Sequence, residues 1–147
     1  MRWHFVDKIV SFKSWNEIAG LKAVSLEEYN LLERFGRKGE FPASLVLESC
    51  VELLRWLVSK SSDFTQTCAL SGLEKFAFYQ TVGAGDLLSI SAAVIQRDEN
   101  VLYAECRVTC GEEKIAEGNL SLTILPFSEF FDRETAESVW KEIYAAP

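Results

Sequence analysis

The chain has 147 residues, a formal net charge of −7, 48% hydrophobic and 25% charged residues, the make-up of one ordinary globular domain. Its single histidine nearly excludes a zinc site built from histidines, and any mechanism needing two of them in one chain. The acidic balance disfavours nucleic acid as a partner, and no run approaches the ~18 apolar residues of a membrane span. The first residues, Met1–Lys8, lack the apolar core of a signal peptide, so the expected compartment is the cytoplasm. There Cys50, Cys68, Cys106 and Cys110 read as free thiols and small buried hydrophobes, with no Cys-x-x-Cys pair and no metal or cofactor expected.

In chain order, Phe5–Phe12 alternates weakly and Glu17–Val24 follows as a second short strand. Leu26–Leu32 fits a helical turn, and Arg34–Pro42, with Gly36 and Gly39, is a loop. After Pro42 the texture changes. Ser44 is a candidate N-cap, and Leu45, Val46, Leu47, Cys50, Val51, Leu53, Leu54, Trp56, Leu57 and Val58 predict a helix over about 43–60. Its polar residues Ser44, Glu48, Glu52, Arg55 and Ser59 fall on one narrow stripe. A helix apolar around the rest of its circumference must be wrapped by something.

The wrapper follows. Leu70–Gln80, Asp86–Arg97, Asn100–Cys110 and Lys114–Leu125 are predicted strands, and the polar turns at 97–100 and 111–114 suggest an antiparallel meander. Leu102, Ala104, Cys106, Val108 and Cys110 share one face of the third, and Ala116, Gly118, Leu120, Leu122 and Ile124 one face of the fourth. Pro126 closes the sheet. Ala136, Val139, Trp140, Ile143 and Tyr144 then give a last helix one apolar face. The pattern is α+β with an antiparallel sheet.

Several stretches resemble the hot-dog β-hydroxyacyl-(acyl carrier protein) dehydratases. Phe5-Val6-Asp7-Lys8-Ile9-Val10 is similar to that family's Leu-Val-Asp-Arg-Val/Ile, and Ile18–Ser25 to its Ile-x-Gly-x-Lys-Asn-Val-Thr. Pro42-Ala43-Ser44-Leu45-Val46-Leu47-Glu48-Ser49 resembles Pro-Gly-Val-Leu-x-x-Glu-Ala. Gly72–Phe78 and Val82-Gly83-Ala84-Gly85-Asp86 resemble Gly-Ile-Asp-Lys-x-x-Phe and Val-x-Pro-Gly-Asp. The resemblance implies a hot-dog fold over 1–126, a curved antiparallel sheet around the central helix. Residues 127–147, beyond the family's usual end, are expected to form a C-terminal helical extension packed on it.

The family's catalytic pair is a His in a Gly-His-Phe-Pro-Gly loop and the Glu on the helix, fourteen positions later. Counting back from Glu48 reaches Arg34, followed by Phe35 as the motif requires. Glu52 stands in place of a usual Gln, and Ala43 in place of the Gly after Pro42. In the mechanism that the resemblance implies, His removes the C2 proton of a 3-hydroxyacyl thioester and the carboxyl helps the hydroxyl leave as water. Arginine, with a pKa above ~12, does not accept a proton near neutral pH. His4, the only histidine, aligns with an ordinary strand position.

Glu48 is therefore the candidate catalytic residue, with Arg34, Phe35, Ala43, Glu52, Phe78 and Gly83 as candidate substrate contacts. Arg37 and Lys38 are candidates for a carrier phosphate. The plainer alternatives stay open: Glu48, Glu52 and Arg55 as a solvated, ion-paired helix face, and Arg34, Arg37 and Lys38 as a solvated loop. The implied partners are an acyl carrier protein or coenzyme A thioester and a second hot-dog subunit. That subunit is an identical copy in a homodimer, or in a heterodimer a His-bearing one that completes the site. Three functions follow: a dehydratase-like component of fatty acid or polyketide synthesis, a thioesterase using Glu48, or a non-catalytic acyl-binding subunit.

Overall fold

The computed structural model describes residues 5–25 and 41–144. His4, Arg34, Phe35, Arg37, Lys38 and the expected turn Leu26–Leu32 lie outside the described residues.

Two short strands come first, β1 (Lys8–Lys13) and β2 (Glu17–Ala23). Helix α1 (Ala43–Ser61) follows. Then come β3 (Gln66–Phe78), β4 (Leu87–Arg97), β5 (Val101–Cys110) and β6 (Glu113–Pro126). A short 3₁₀ turn at Phe127–Glu129 leads to α2 (Arg133–Ile143). The strands form one antiparallel sheet in the order β1-β2-β4-β5-β6-β3.

Three expectations are corrected. Ser44 is not the N-cap: α1 starts at Ala43, and the Pro42 carbonyl accepts from the Leu45 and Val46 N–H groups at 3.0 and 3.2 Å. Proline's fixed φ already sets the first turn, so the hydroxyl is not needed there. The third strand begins at Gln66, four residues before Leu70. Asp63 and Phe64, both at positive φ, reverse the chain directly after α1, and the Phe64 N–H donates to the Ser59 carbonyl at 2.7 Å. Only β4, β5 and β6 form a meander. The β3 strand lies at the far edge beside β6, and β2 takes the place beside β4. Short turns fix the two hairpins, whereas the 79–86 connection crosses the sheet and carries no pairing signal.

The core sits in the concavity. Val46, Cys50, Leu53, Leu54 and Leu57 of α1 are sealed against Leu102, Ala104, Cys106, Val108, Leu120 and Leu122. Each such side chain contributes roughly 1.5–3 kcal/mol by leaving water. Register shifts in β1, β3, β4 and between β5 and β6 mark the bulges that bend strands in such a sheet. In β3 Lys75 adopts φ 53°, and Phe76 folds over Gly118, where a Cβ would collide with it.

The C-terminal helix docks through Trp140, whose ring meets Phe12 edge-on at 5.4 Å, tilts against Trp56 at 5.8 Å and stacks on Tyr144 at 4.9 Å. Asp132 caps it, accepting from the Thr135 N–H and hydroxyl at 3.0 and 2.7 Å. Among the described residues no helix is long and apolar enough to cross a membrane.

Candidate functional site

The site is built around the first half of α1. Residues 41–43 enter it, pinned from the side. The Phe41 N–H donates to the Val82 carbonyl at 2.6 Å, and both side chains are buried. This one bridge brings the helix entry, the end of β3 and the 82–86 turn together. The result is a cleft of about 250 Å³ between Phe41, Ala43, Val46, Phe78, Tyr79 and Val82.

The turn below it is tied down on both sides. Gly83 N–H donates to the Asp86 carboxylate at 2.8 Å, and Asp86 N–H returns a bond to the Gly83 carbonyl at 3.1 Å. Gly85 holds φ +94°, a conformation that suits glycine. Its N–H and the Asp86 carbonyl both pair with Val24, at the end of β2. The Gly83 amide is thus committed within the turn, so a ligand contact there would run through its Cα or carbonyl. Asp7 clasps β2 in the same way, its carboxylate accepting from the Ala23 N–H at 2.7 Å. Asp7 and Asp86, two residues of the dehydratase-like stretches, therefore have structural duties.

Ala43 and Phe78 both line this one cleft, and Gly83 follows Val82 in the chain. Glu48 stands on α1 just beyond it. The residue is half-buried, and among the described residues no hydrogen bond or ion pair engages its carboxylate. Glu52, one turn further, is also half-buried and borders a second hollow nearer the helix end. The fully solvated stripe is corrected: Ser59 is 4% exposed, and Arg55 lies over β3, its Nε donating to the Cys68 carbonyl at 3.4 Å. The strand end carries its own polar cluster. Tyr79 donates to the Glu117 carboxylate at 2.9 Å and Lys114 pairs with it at 3.2 Å. These bonds hold that carboxyl below its ordinary range and push the phenol up.

No family model matches the chain. It is 29% identical over 121 residues to the 3-hydroxyacyl-[acyl-carrier-protein] dehydratase FabZ of Rickettsia bellii, a match covering 81% of this chain and 83% of that protein. The chain is a divergent hot-dog protein related to the FabZ dehydratases. Solved structures agree on the hot-dog fold. That of smu.793 from Streptococcus mutans, bound to acetyl CoA, superposes with TM-score 0.64 at 15% identity over 82% of this chain and 89% of the other. The fluoroacetyl-CoA-specific thioesterase FlK, in complex with fluoroacetate and CoA, gives 0.67 at 9% identity over 82% of this hot-dog chain and 100% of that one.

Residues that sequence reasoning missed gather in the second hollow: Trp56, Thr67, Phe127 and Phe131. The clustered Phe127, Phe130 and Phe131 were the available signal. Nothing in their spacing said that they would turn back on α1.

Proposed function

We propose that this hot-dog chain holds an acyl group carried as a thioester, on coenzyme A or an acyl carrier protein, along the Glu48 face of α1. Its role in this reading is that of a dehydratase-like component of fatty acid or polyketide synthesis. The observation that carries it is Glu48 itself. It keeps the register of the dehydratase carboxyl, in a chain similar to FabZ over 121 residues, and it is half-buried on α1, the helix whose first turn lines the Ala43–Phe78 cleft. A carboxyl group at this place in the register is a candidate to hand a proton to a departing hydroxyl.

In this reading Glu48 assists departure of the 3-hydroxyl as water. Arg34, in the register of the family's His, holds the thioester carbonyl or a phosphate as a cation and leaves the C2 proton untouched. Arg37 and Lys38 add charge for the carrier arm. Proton removal then needs a histidine from a second hot-dog subunit, which makes a heterodimer the active form. The long edge strand β3, with Leu70, Leu73 and Phe78 exposed, supports pairing between subunits. A second reading draws on the CoA-bound structural neighbours: Glu48 activates water and the chain releases free thiol as a thioesterase.

The test is a panel of 3-hydroxyacyl and acyl thioesters, assayed with the chain alone and mixed with a His-bearing hot-dog subunit. The expected result is binding by the chain alone and enoyl absorbance only in the mixture, lost in Glu48→Gln. Free thiol from the chain alone selects the thioesterase reading. Absence of binding to every thioester overturns the proposal.

A further inference from the structure

Beyond Glu48 the second hollow opens between α1, the start of β3 and the chain after Pro126. Its volume is about 330 Å³, within the size range of small-molecule sites. Trp56, Phe127, Phe130 and Phe131 line it as aromatic walls. Phe127 is packed in place, meeting Phe64 edge-on at 5.6 Å and Phe131 at 5.5 Å, and Trp56 is held by Trp140 at 5.8 Å. Phe130 and Phe131 are exposed, so the hollow is open to solvent on their side.

The cation in this lining is Arg55. It is half-buried, and its Nε donates to the Cys68 carbonyl at 3.4 Å, which ties the guanidinium to the first residues of β3. Its two terminal Nη groups make no hydrogen bond or ion pair among the described residues. A charge partly withdrawn from water is best placed beside a counter-charge, and the described chain supplies none to Arg55. Two carboxylates also border the hollow, and both are committed. Asp132 caps α2, where the bonds from Thr135 hold its carboxyl below the ordinary range. Glu52 has an interaction of its own, and Arg55 is not its partner. An aromatic hollow with one uncompensated guanidinium has the chemistry of a site for an apolar anion. A planar carboxylate matches it best: with Nε occupied, the two Nη groups still offer parallel N–H donors to two carboxylate oxygens.

We propose that this hollow binds a compact monocarboxylate, its carboxylate paired end-on with the Nη groups of Arg55 and its ring or short alkyl body held among Trp56, Phe127, Phe130 and Phe131. The aromatic walls take that body by edge and face contacts. The site is separate from the Ala43–Phe78 cleft, and the inference does not depend on the acyl-thioester reading.

The test is an NMR titration of the full nitrogen-labelled chain at neutral pH, with affinity read from the indole N–H of Trp56. The probes are octanoate and 3-phenylpropanoate, each beside its primary amide and its amine. Each carboxylate is expected to bind about tenfold tighter than its amide, the worth of a charge-assisted pair over a neutral one. Arg55→Gln is expected to bring that ratio close to one, with a cooperative melt showing that it is folded. Ala136→Phe, which fills the hollow from α2, is expected to weaken carboxylate and amide together. Equal affinities in the unsubstituted protein, a preference that survives in Arg55→Gln, or tightest binding by the amines overturns the inference. So do shifts centred on residues 78–83 with Trp56 unmoved, which place the carboxylate in the other cleft.

Discussion

Burial pushes the Cys68 thiol up to about 12, against an ordinary 9.0, and Arg55 only partly offsets it. Cys106 is raised well above that range by its hydrogen bond with Cys50 and by burial. Both stay protonated and sealed in the native state, while Cys110 is partly exposed. Under native conditions a maleimide is expected to modify Cys110 alone, and all four thiols after denaturation, counted by mass spectrometry. The same shifts set an alkaline limit. Above about pH 9 the unfolded chain releases protons that the native chain retains, so stability is full below that value and falls as the pH climbs towards about 12. Urea midpoints measured across that window check the sign. Thr67→Val is expected to leave the ligand-free protein as stable or more stable by about 1 kcal/mol, since it removes an unpaired buried hydroxyl. At this scale Glu48 was legible because its position follows from a helix register that the sequence spells out. Thr67 was not, because a threonine acquires meaning only once burial strips it of water.

Elements were legible where periodicity and short turns dictate them. The α1 pattern left only a narrow polar stripe, and α1 is indeed wrapped; the alternation in β5 and β6 named their inward faces correctly. The edge position of β3 was not legible, because it depends on a crossover whose residues carry no partner information. Its bulge gives a direct test. Gly118→Ala forces a Cβ into Phe76, whose Cδ2 would stand 2.7 Å away, on a rigid sheet. The expected cost is about 2 kcal/mol, read from the urea midpoint. Docking of α2 depends on Trp140, 6% exposed and also 5.6 Å from the Lys60 ammonium. Trp140→Ala is expected to cost about 3 kcal/mol and to release α2, seen as lost hydrogen-exchange protection across 133–143.

At the scale of the molecule, the sheet and α1 make a hot-dog frame, and the chain after Pro126 turns back on α1. By sequence register Arg34 stands where the dehydratases carry their catalytic His, and the single histidine, His4, aligns elsewhere in the sequence. In the proposed account the chain is half of a catalytic pair: it supplies the carboxyl and the acyl cradle, and another subunit supplies the base. The most direct measurement is amide hydrogen exchange of the full chain with and without a non-hydrolysable 3-hydroxyacyl-CoA analogue. The account predicts added protection in the first half of α1, around Glu48, and along the Phe78–Gly83 segment. No change there, or protection confined to the convex face of the sheet, would contradict it.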